Sequence, residues 1–217
     1  MNPIDLRVYV VTTDVPQLGR THEDVAAAAL AGGARIIQFR DKEMSDQEFA
    51  TVARRIQSLT REHNALLIIN DRVEIALAIG ADGVHVGQHD LALAEVNRIA
   101  RPGMIAGVSA TNYADAVALA NSGADYLGVG PIFPTPSKAD ATTPIGLDEL
   151  ARICRDVSLP IVAIGGISES NLPAIIKSGA AGAAVISAIS ATSDMIAATV
   201  ALKETWTRIS RDSAAPL

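Results

Sequence analysis

Only one cysteine, Cys154, stands in 217 residues, so neither an intrachain disulfide nor a thiolate cluster can be built. It falls with Leu150, Ile153 and Val157 on the apolar face of an expected helix, where packing is the ordinary role of a free thiol. Aromatic residues are nearly as scarce, at 3%, so the core must come from Ala, Val, Ile and Leu. That suits buried parallel strands covered by alanine-rich helices. Positive charge is in deficit: the net charge is −6 and the pI about 5.2. An acidic surface repels phosphate polymers, which argues against nucleic acid as a partner. It also means that any phosphate site has to be assembled locally, from a few placed cations, backbone N–H groups or a metal. No uninterrupted run of about 18 strongly apolar residues exists, so no membrane span is expected. The N-terminus carries Asp5 and Arg7 rather than the apolar block of a signal peptide. A soluble cytoplasmic protein is the expectation.

What is present is a regular alternation. Short β-branched runs occur at Val8–Thr12, Arg35–Phe39, Leu66–Ile69, Val84–Val86, Ile105–Val108, Tyr126–Val129, Ile161–Ile164 and Ala183–Ile186. Segments long enough for a crossover helix separate them, which implies parallel strands with right-handed connections. The best-marked helix starts at Ser45, where Ser45 and Glu48 have capping-box spacing. Phe49, Val52, Ala53, Ile56 and Leu59 then recur at helical period. Thr21 and Asp24 mark a similar start. Gly33-Ala34, Gly80-Ala81-Asp82, Gly123-Ala124-Asp125 and Gly179-Ala180 each close a helix before an even-numbered strand, with glycine supplying a left-handed terminus. Eight evenly spaced units favour an α/β fold, a single (β/α)8 TIM barrel, over an open doubly wound sheet. The expected domain spans 1–211, with 212–217 a frayed tail.

In such a barrel, chemistry sits where strands end. After the second strand comes Gln38-Phe39-Arg40-Asp41-Lys42, in which Gln38, Arg40 and Lys42 alternate and so point to one side while the backbone stays extended. A solvated loop is the plain alternative; the apolar run beforehand favours an anion-binding row. The third strand ends Asn70-Asp71-Arg72, and the fourth runs through His85 to Gln88-His89-Asp90. Asp71 and Asp90, on neighbouring strand ends and without a cysteine or histidine pair, suit a hard oxygen-loving cation, Mg2+ shared with substrate phosphate. Helix capping is the plain role for either Asp taken singly. His85 reads as a satisfied barrel residue, His89 as exposed, and His22 and His63 as helix-surface residues. Ser109 offers a hydroxyl after the fifth strand. The loop after the sixth, from Gly130 to Lys138, is stiffened by three prolines, Pro136 among them, and carries Thr135, Ser137 and Lys138 as a substrate-covering segment. Gly165-Gly166 after the seventh strand, and Ile186-Ser187 after the eighth, match a backbone phosphate cradle. Two anion sites are therefore expected, one metal-assisted with a local charge of about +3, complementary to a pyrophosphate, and one built from backbone.

These segments together resemble the thiamine phosphate synthase family along nearly the whole chain. The resemblance is carried, in order, by QFRDK (Gln38–Lys42), ND (Asn70, Asp71), GVHVGQHD (Gly83–Asp90), GVS (Gly107–Ser109), GVGPIFPTPSK (Gly128–Lys138), AIGGI (Ala163–Ile167) and VISAI (Val185–Ile189). It implies a transferase of thiamine biosynthesis that joins a pyrimidine diphosphate to a thiazole phosphate. It implies, further, that Gln38, Phe39, Arg40, Asp41, Lys42 and Asn70 hold the pyrimidine diphosphate, and that Asp71 and Asp90 hold Mg2+. Ser109 and Lys138 would serve as catalytic groups on the pyrophosphate side. Thr135, Pro136 and Ser137 would meet the thiazole phosphate, cradled by Gly166, Ile186 and Ser187. The family commonly has Thr where Ser137 stands, and the hydroxyl is kept.

Three rival readings compete with it. A thiazole tautomerase shares this fold but tends to carry a histidine after the sixth strand, where this chain has Pro131. A Schiff-base aldolase needs a desolvated strand lysine, and none of the expected strands has one. A non-catalytic ligand-binding paralogue would be expected to have lost Asp71, Asp90 or Lys138. The partners expected are small molecules, with a homodimer compatible with the sequence but not determined by it.

Overall fold

The computed structural model describes residues 4–87, 93–135 and 143–214. Among the described residues eight strands are present: β1 (Val8–Val11), β2 (Ile36–Phe39), β3 (Leu66–Asn70), β4 (Gly83–Val86), β5 (Ile105–Ala110), β6 (Tyr126–Val129), β7 (Ile161–Ile164) and β8 (Gly182–Val185). Each pairs in parallel with its sequence neighbours, and β8 pairs with β1, so the sheet closes into a barrel. The crossover helices described between them are α1 (His22–Ala31), α2 (Asp46–Glu62), α3 (Val73–Ile79), α4 (Leu93–Ile99), α5 (Tyr113–Leu119), α6 (Gly146–Asp156) and α7 (Leu172–Lys177). After β8 come a one-turn helix, α8 (Ser187–Ser190), and a long one, α9 (Met195–Ala214). The expected strands are all present, most with bounds shifted by a residue or two.

Local sequence explains the helix ends. At α1 and α2 both capping boxes form, Thr21 with Asp24 and Ser45 with Glu48, each worth about 1 kcal/mol at the N-cap. The Gly-Ala-Asp repeat has a double purpose. Its glycine takes positive φ, 67° at Gly80 and 84° at Gly123, which a Cβ would strain. Its aspartate then accepts an N–H near the start of the preceding strand: Leu67 N donates to Asp82 Oδ2 and Ala106 N to Asp125 Oδ2, both at 2.8 Å. The module thus both ends a helix and ties the base of a strand.

Alternation along each strand divides the core in two. Outward residues such as Val10, Ile37, Phe39, Leu67 and Ile69 pack against the helices, and Phe39 stacks on Phe49 of α2 at 4.1 Å. Inward residues, among them Leu6, Ile36, Ile68, Ile105 and Val162, plug the barrel around Tyr9 and Tyr126. The expected face of α2 is the one that packs: Phe49, Ala53 and Ile56 are buried, with Val52 and Leu59 beside them. Cys154 packs against the same core, and burial pushes its thiol up to about 11, so it stays protonated near neutrality.

One expectation needs correction. His22 is buried, not on a helix surface: it occupies the first turn of α1, which faces the barrel rim, and bonds Thr12 Oγ1 at 2.9 Å and Asp41 Oδ2 at 3.1 Å. The final helix runs to Ala214, and Leu202 and Trp206 on its apolar face dock against the barrel. Among the described residues no helix is long and apolar enough to cross a membrane.

Candidate active site

A cavity of about 350 Å3 opens at the C-terminal mouth of the barrel. Its wall includes Gln38, Arg40, Lys42, Asn70, Asp71, Ser109, Thr135, Gly166, Ile186 and Ser187, which arrive from six different strand ends. Residues separated by up to 149 positions thus share one space. Asp90, Pro136, Ser137 and Lys138, together with His89, lie outside the described residues.

The same alternation that puts Gln38, Arg40 and Lys42 inward puts Phe39 and Asp41 outward. Phe39 is fully buried between barrel and helices, so its ring does not reach the cavity, contrary to the substrate contact expected of it. Asp41 likewise does not line the cavity. Its Oδ1 accepts the N–H groups of Glu43 (2.8 Å) and Met44 (2.6 Å), while Oδ2 meets His22. Burial alone would raise its pKa, but those N–H groups and His22 outweigh it and hold the carboxyl below its ordinary value. Asp41 therefore knots the loop that displays its two basic neighbours.

Arg72 braces that loop from the next strand end. Its guanidinium donates to Met44 O at 2.6 Å, Asp41 O at 3.3 Å and Asp46 Oδ1 at 2.7 Å, and lies 4.4 Å from the Phe49 ring centroid. Arg40 itself has no hydrogen-bond or ion-pair partner among the described residues, so its charge is available to a ligand. Lys42 donates to Asp71 Oδ2, and Asn70 Nδ2 donates to Asp71 Oδ1 at 2.8 Å. Asp71 adopts φ 59°, a left-handed conformation that a non-glycine residue tolerates at a cost. Its hard carboxylate, already oriented by an ammonium and an amide at the cavity wall, fits one ligand position of a Mg2+ ion, which needs only one or two protein carboxylates beside phosphate and water. Among the described residues no cluster of three or more His, Cys, Asp or Glu could hold a metal.

On the other side, Gly165 and Gly166 take φ 100° and 64°. A Cβ on Gly166 would meet Pro134 O at 2.6 Å and Phe133 Cβ at 2.8 Å, so the segment after β6 lies directly on this turn. Hydrogen bonds from Ile132 N to Ile164 O (2.9 Å) and from Phe133 N to Gly165 O (3.1 Å) hold it there, after a cis Gly130–Pro131 bond. Asn171 Nδ2 donates to Gly166 O at 2.9 Å and fixes the turn from behind. The backbone N–H groups of Gly166, Ser187 and Ala188 have no protein acceptor among the described residues. Arg20 supports α8 by donating to Ser190 O and Thr192 O, both at 2.6 Å.

The cavity floor holds a polar file that the sequence reading did not assemble. Gln38 Nε2 donates to Tyr9 Oη (2.9 Å), Tyr9 Oη meets Tyr126 Oη (2.6 Å), Tyr126 Oη meets His85 Nδ1 (3.0 Å), and His85 Nε2 meets Ser109 Oγ (2.9 Å). His85 is thus a buried, hydrogen-bonded barrel residue, as its strand position suggested. The parity of Tyr9 and Tyr126 along their strands was a usable signal for facing inward; their partnership was not.

Residues 8–189, which include every strand of this site, match the family model described as thiamine monophosphate synthase. The chain belongs to that family. It is similar to a thiamine-phosphate synthase of Chloroflexus aurantiacus, 48% identical over 90% of this chain and 90% of the relative. It is equally similar to one of Archaeoglobus fulgidus, 48% identical over 87% of this chain and 88% of that one. Among solved structures, thiamine phosphate pyrophosphorylase from Pyrococcus furiosus superposes with a TM-score of 0.85 at 37% identity, covering 94% of this chain and 97% of that one. Membership in the thiamine monophosphate synthase family agrees with a barrel whose mouth gathers basic side chains, a carboxylate and free backbone N–H groups.

Proposed function

We propose that this chain is a thiamine phosphate synthase. It would transfer the pyrimidine methylene group of 4-amino-5-hydroxymethyl-2-methylpyrimidine diphosphate to the nitrogen of 4-methyl-5-(2-phosphoethyl)thiazole or its carboxylated form. The products are thiamine phosphate and pyrophosphate. One observation supports this reading: two basic side chains beside a carboxylate and, opposite them, backbone N–H groups without a protein acceptor among the described residues meet at a single cavity. Arg40 and Lys42 beside Asp71 suit a diphosphate, whereas the free N–H groups of Gly166, Ser187 and Ala188 suit a phosphate monoester.

Asp71, with Asp90, would hold Mg2+; when bound, the ion supplies positive charge to the diphosphate oxygens. Gln38 and Asn70 orient the pyrimidine, while Arg40 and Lys42 grip its diphosphate. As the methylene C–O bond breaks, its electron pair leaves with pyrophosphate and negative charge concentrates there. Arg40, unspent on internal pairing among the described residues, gains most from that growth, and Ser109 and Lys138 would add to it. Thr135, Pro136 and Ser137 would serve the thiazole half, whose phosphate rests on Gly166, Ile186 and Ser187. Its ring nitrogen then bonds the methylene carbon. That nitrogen carries no proton, so no general base is needed, and positioning with electrostatic stabilisation does the catalytic work.

The test is to incubate the purified protein with both phosphorylated halves, with and without Mg2+, and to quantify products. Equal amounts of thiamine phosphate and pyrophosphate, formed only with the metal, are expected. Pyrophosphate released without thiamine phosphate, or proton exchange on the thiazole alone, would overturn the assignment.

A further inference from the structure

The polar file under the cavity crosses the barrel from β2 to β5 through side chains of β1, β6 and β4, and its donors can be followed from one end to the other. Tyr9 Oη accepts from Gln38 Nε2, so the proton of Tyr9 goes to Tyr126 Oη. Tyr126 must then donate onward to His85 Nδ1, which is therefore bare. A neutral His85 carries its proton on Nε2 and gives it to Ser109 Oγ. Ser109 is left with its own proton for the cavity, and Gln38 with its Oε1, since neither atom has another partner among the described residues. The two ends thus have opposite character: an acceptor at Gln38 and a donor at Ser109.

Burial pushes both phenols well above their ordinary range, so they remain protonated and the file keeps its sense. Space for it is provided deliberately by small residues. A Cβ on Gly128 would approach His85 Cε1 to 2.8 Å, and one on Gly107 would strike both the Tyr126 ring and His85 Nδ1. Tyr9 and Tyr126 also meet edge to face, with centroids 5.7 Å apart.

We propose that the file Gln38–Tyr9–Tyr126–His85–Ser109 locks the orientation of the Gln38 amide and thereby selects a 4-aminopyrimidine against its 4-oxo counterpart. The inference rests on the synthase reading. A 4-amino group donates where a 4-oxo group accepts. A solitary glutamine would serve either ring by turning its amide over. Here that turn sets Gln38 Oε1 against Tyr9, and it is accommodated only if Tyr9, Tyr126, His85 and Ser109 all reverse together. A partial reversal leaves two donors or two lone pairs facing each other in a buried setting. Tyr9, Tyr126 and His85 are positioning residues: they act on the ligand through Gln38 and Ser109.

The experiment measures Kd for nonreactive 4-amino and 4-oxo pyrimidine diphosphate analogues, in which a methylene replaces the ester oxygen, with Mg2+ and without thiazole phosphate. Wild type should prefer the amino analogue by tenfold or more, roughly what a mismatched polar contact imposes. Tyr126→Phe cuts the file in the middle and should lower that preference by about tenfold, mainly by admitting the oxo analogue, with thiazole phosphate binding unchanged. A folded Tyr126→Phe protein with unaltered preference would overturn the inference, as would a wild type with none. Should that variant fail to fold, 15N NMR of the His85 ring in the wild type decides: a bare Nδ1 and protonated Nε2 support the file, and the opposite tautomer refutes it. If wild type binds neither analogue and makes no thiamine phosphate, the synthase reading falls as well; a normal synthase with an unmoved preference sinks this inference alone.

Discussion

Replacing Arg72 with alanine removes a side chain that does not line the cavity, yet the structure makes it a support of the diphosphate end. The magnitude follows from its contacts. The ion pair with Asp46 is nearly worthless, since the Asp46 side chain is 85% exposed. The bond to Met44 O is short and made by a charged donor on a side chain only 19% exposed, which is worth about 1.5–3 kcal/mol. The bond to Asp41 O is long and adds little, and the Phe49 contact adds about 0.5–1 kcal/mol. Arg72→Ala should therefore destabilise the protein by about 2–4 kcal/mol in urea titration. The functional consequence should be selective. With residues 41–46 loosened, Arg40 and Lys42 lose their preset positions, so KM for the pyrimidine diphosphate should rise by about tenfold while KM for the thiazole phosphate stays near wild type. Arg72→Lys, which cannot span the carbonyls and the ring together, should restore only part of either effect. A loss under about 0.5 kcal/mol with both KM values unchanged would refute the bracing argument.

Asp71→Ala should reduce turnover sharply, and raising Mg2+ should recover part of it; full activity at limiting Mg2+ would remove Asp71 from the metal assignment. Ser187→Asp places a carboxylate beside the free N–H groups of α8 and should raise KM for the thiazole phosphate by about tenfold or more, with little change for the pyrimidine, because like charges meet at short range. Equal effects on both substrates would dissolve the two-site division. A bulky residue at Gly166 is a poorer probe, since it would also displace the segment after β6. Asp41 has a folded pKa depressed below its ordinary 3.8, so its stabilising contribution is present above that value and is lost as pH falls through the lowered one. Asp41→Asn should accordingly flatten the acid limb of the stability curve below about pH 4 and leave the neutral region less stable throughout, as read by denaturant melts across pH.

Features written within a few residues were legible in the sequence alone. The capping boxes at Thr21 and Ser45, the left-handed glycines at 80 and 123, and the strand-helix alternation each depend on neighbours along the chain. Eight such units imply a closed barrel, and closure places strand ends together, so pattern alone gathers Gln38, Arg40, Lys42, Asn70, Asp71, Ser109, Thr135, Gly166, Ile186 and Ser187 at one mouth. The period of two even contained the correction for Phe39 and Asp41, which face away from their basic neighbours. What the sequence could not decide is pairing across the barrel. Tyr9 and Tyr126 stand 117 positions apart and His22 and Asp41 19 apart, and their hydrogen bonds exist only because closure brings their strands or rims together. Likewise Arg72 reaches Met44 over 28 positions, and Arg20 reaches Ser190 over 170. No local rule assigns such partners: a buried polar group must be satisfied, but which group satisfies it is settled by the register and curvature of the closed sheet. The sequence therefore determined the barrel and the ring of residues at its mouth, and the tertiary structure alone decided what holds each of them in place.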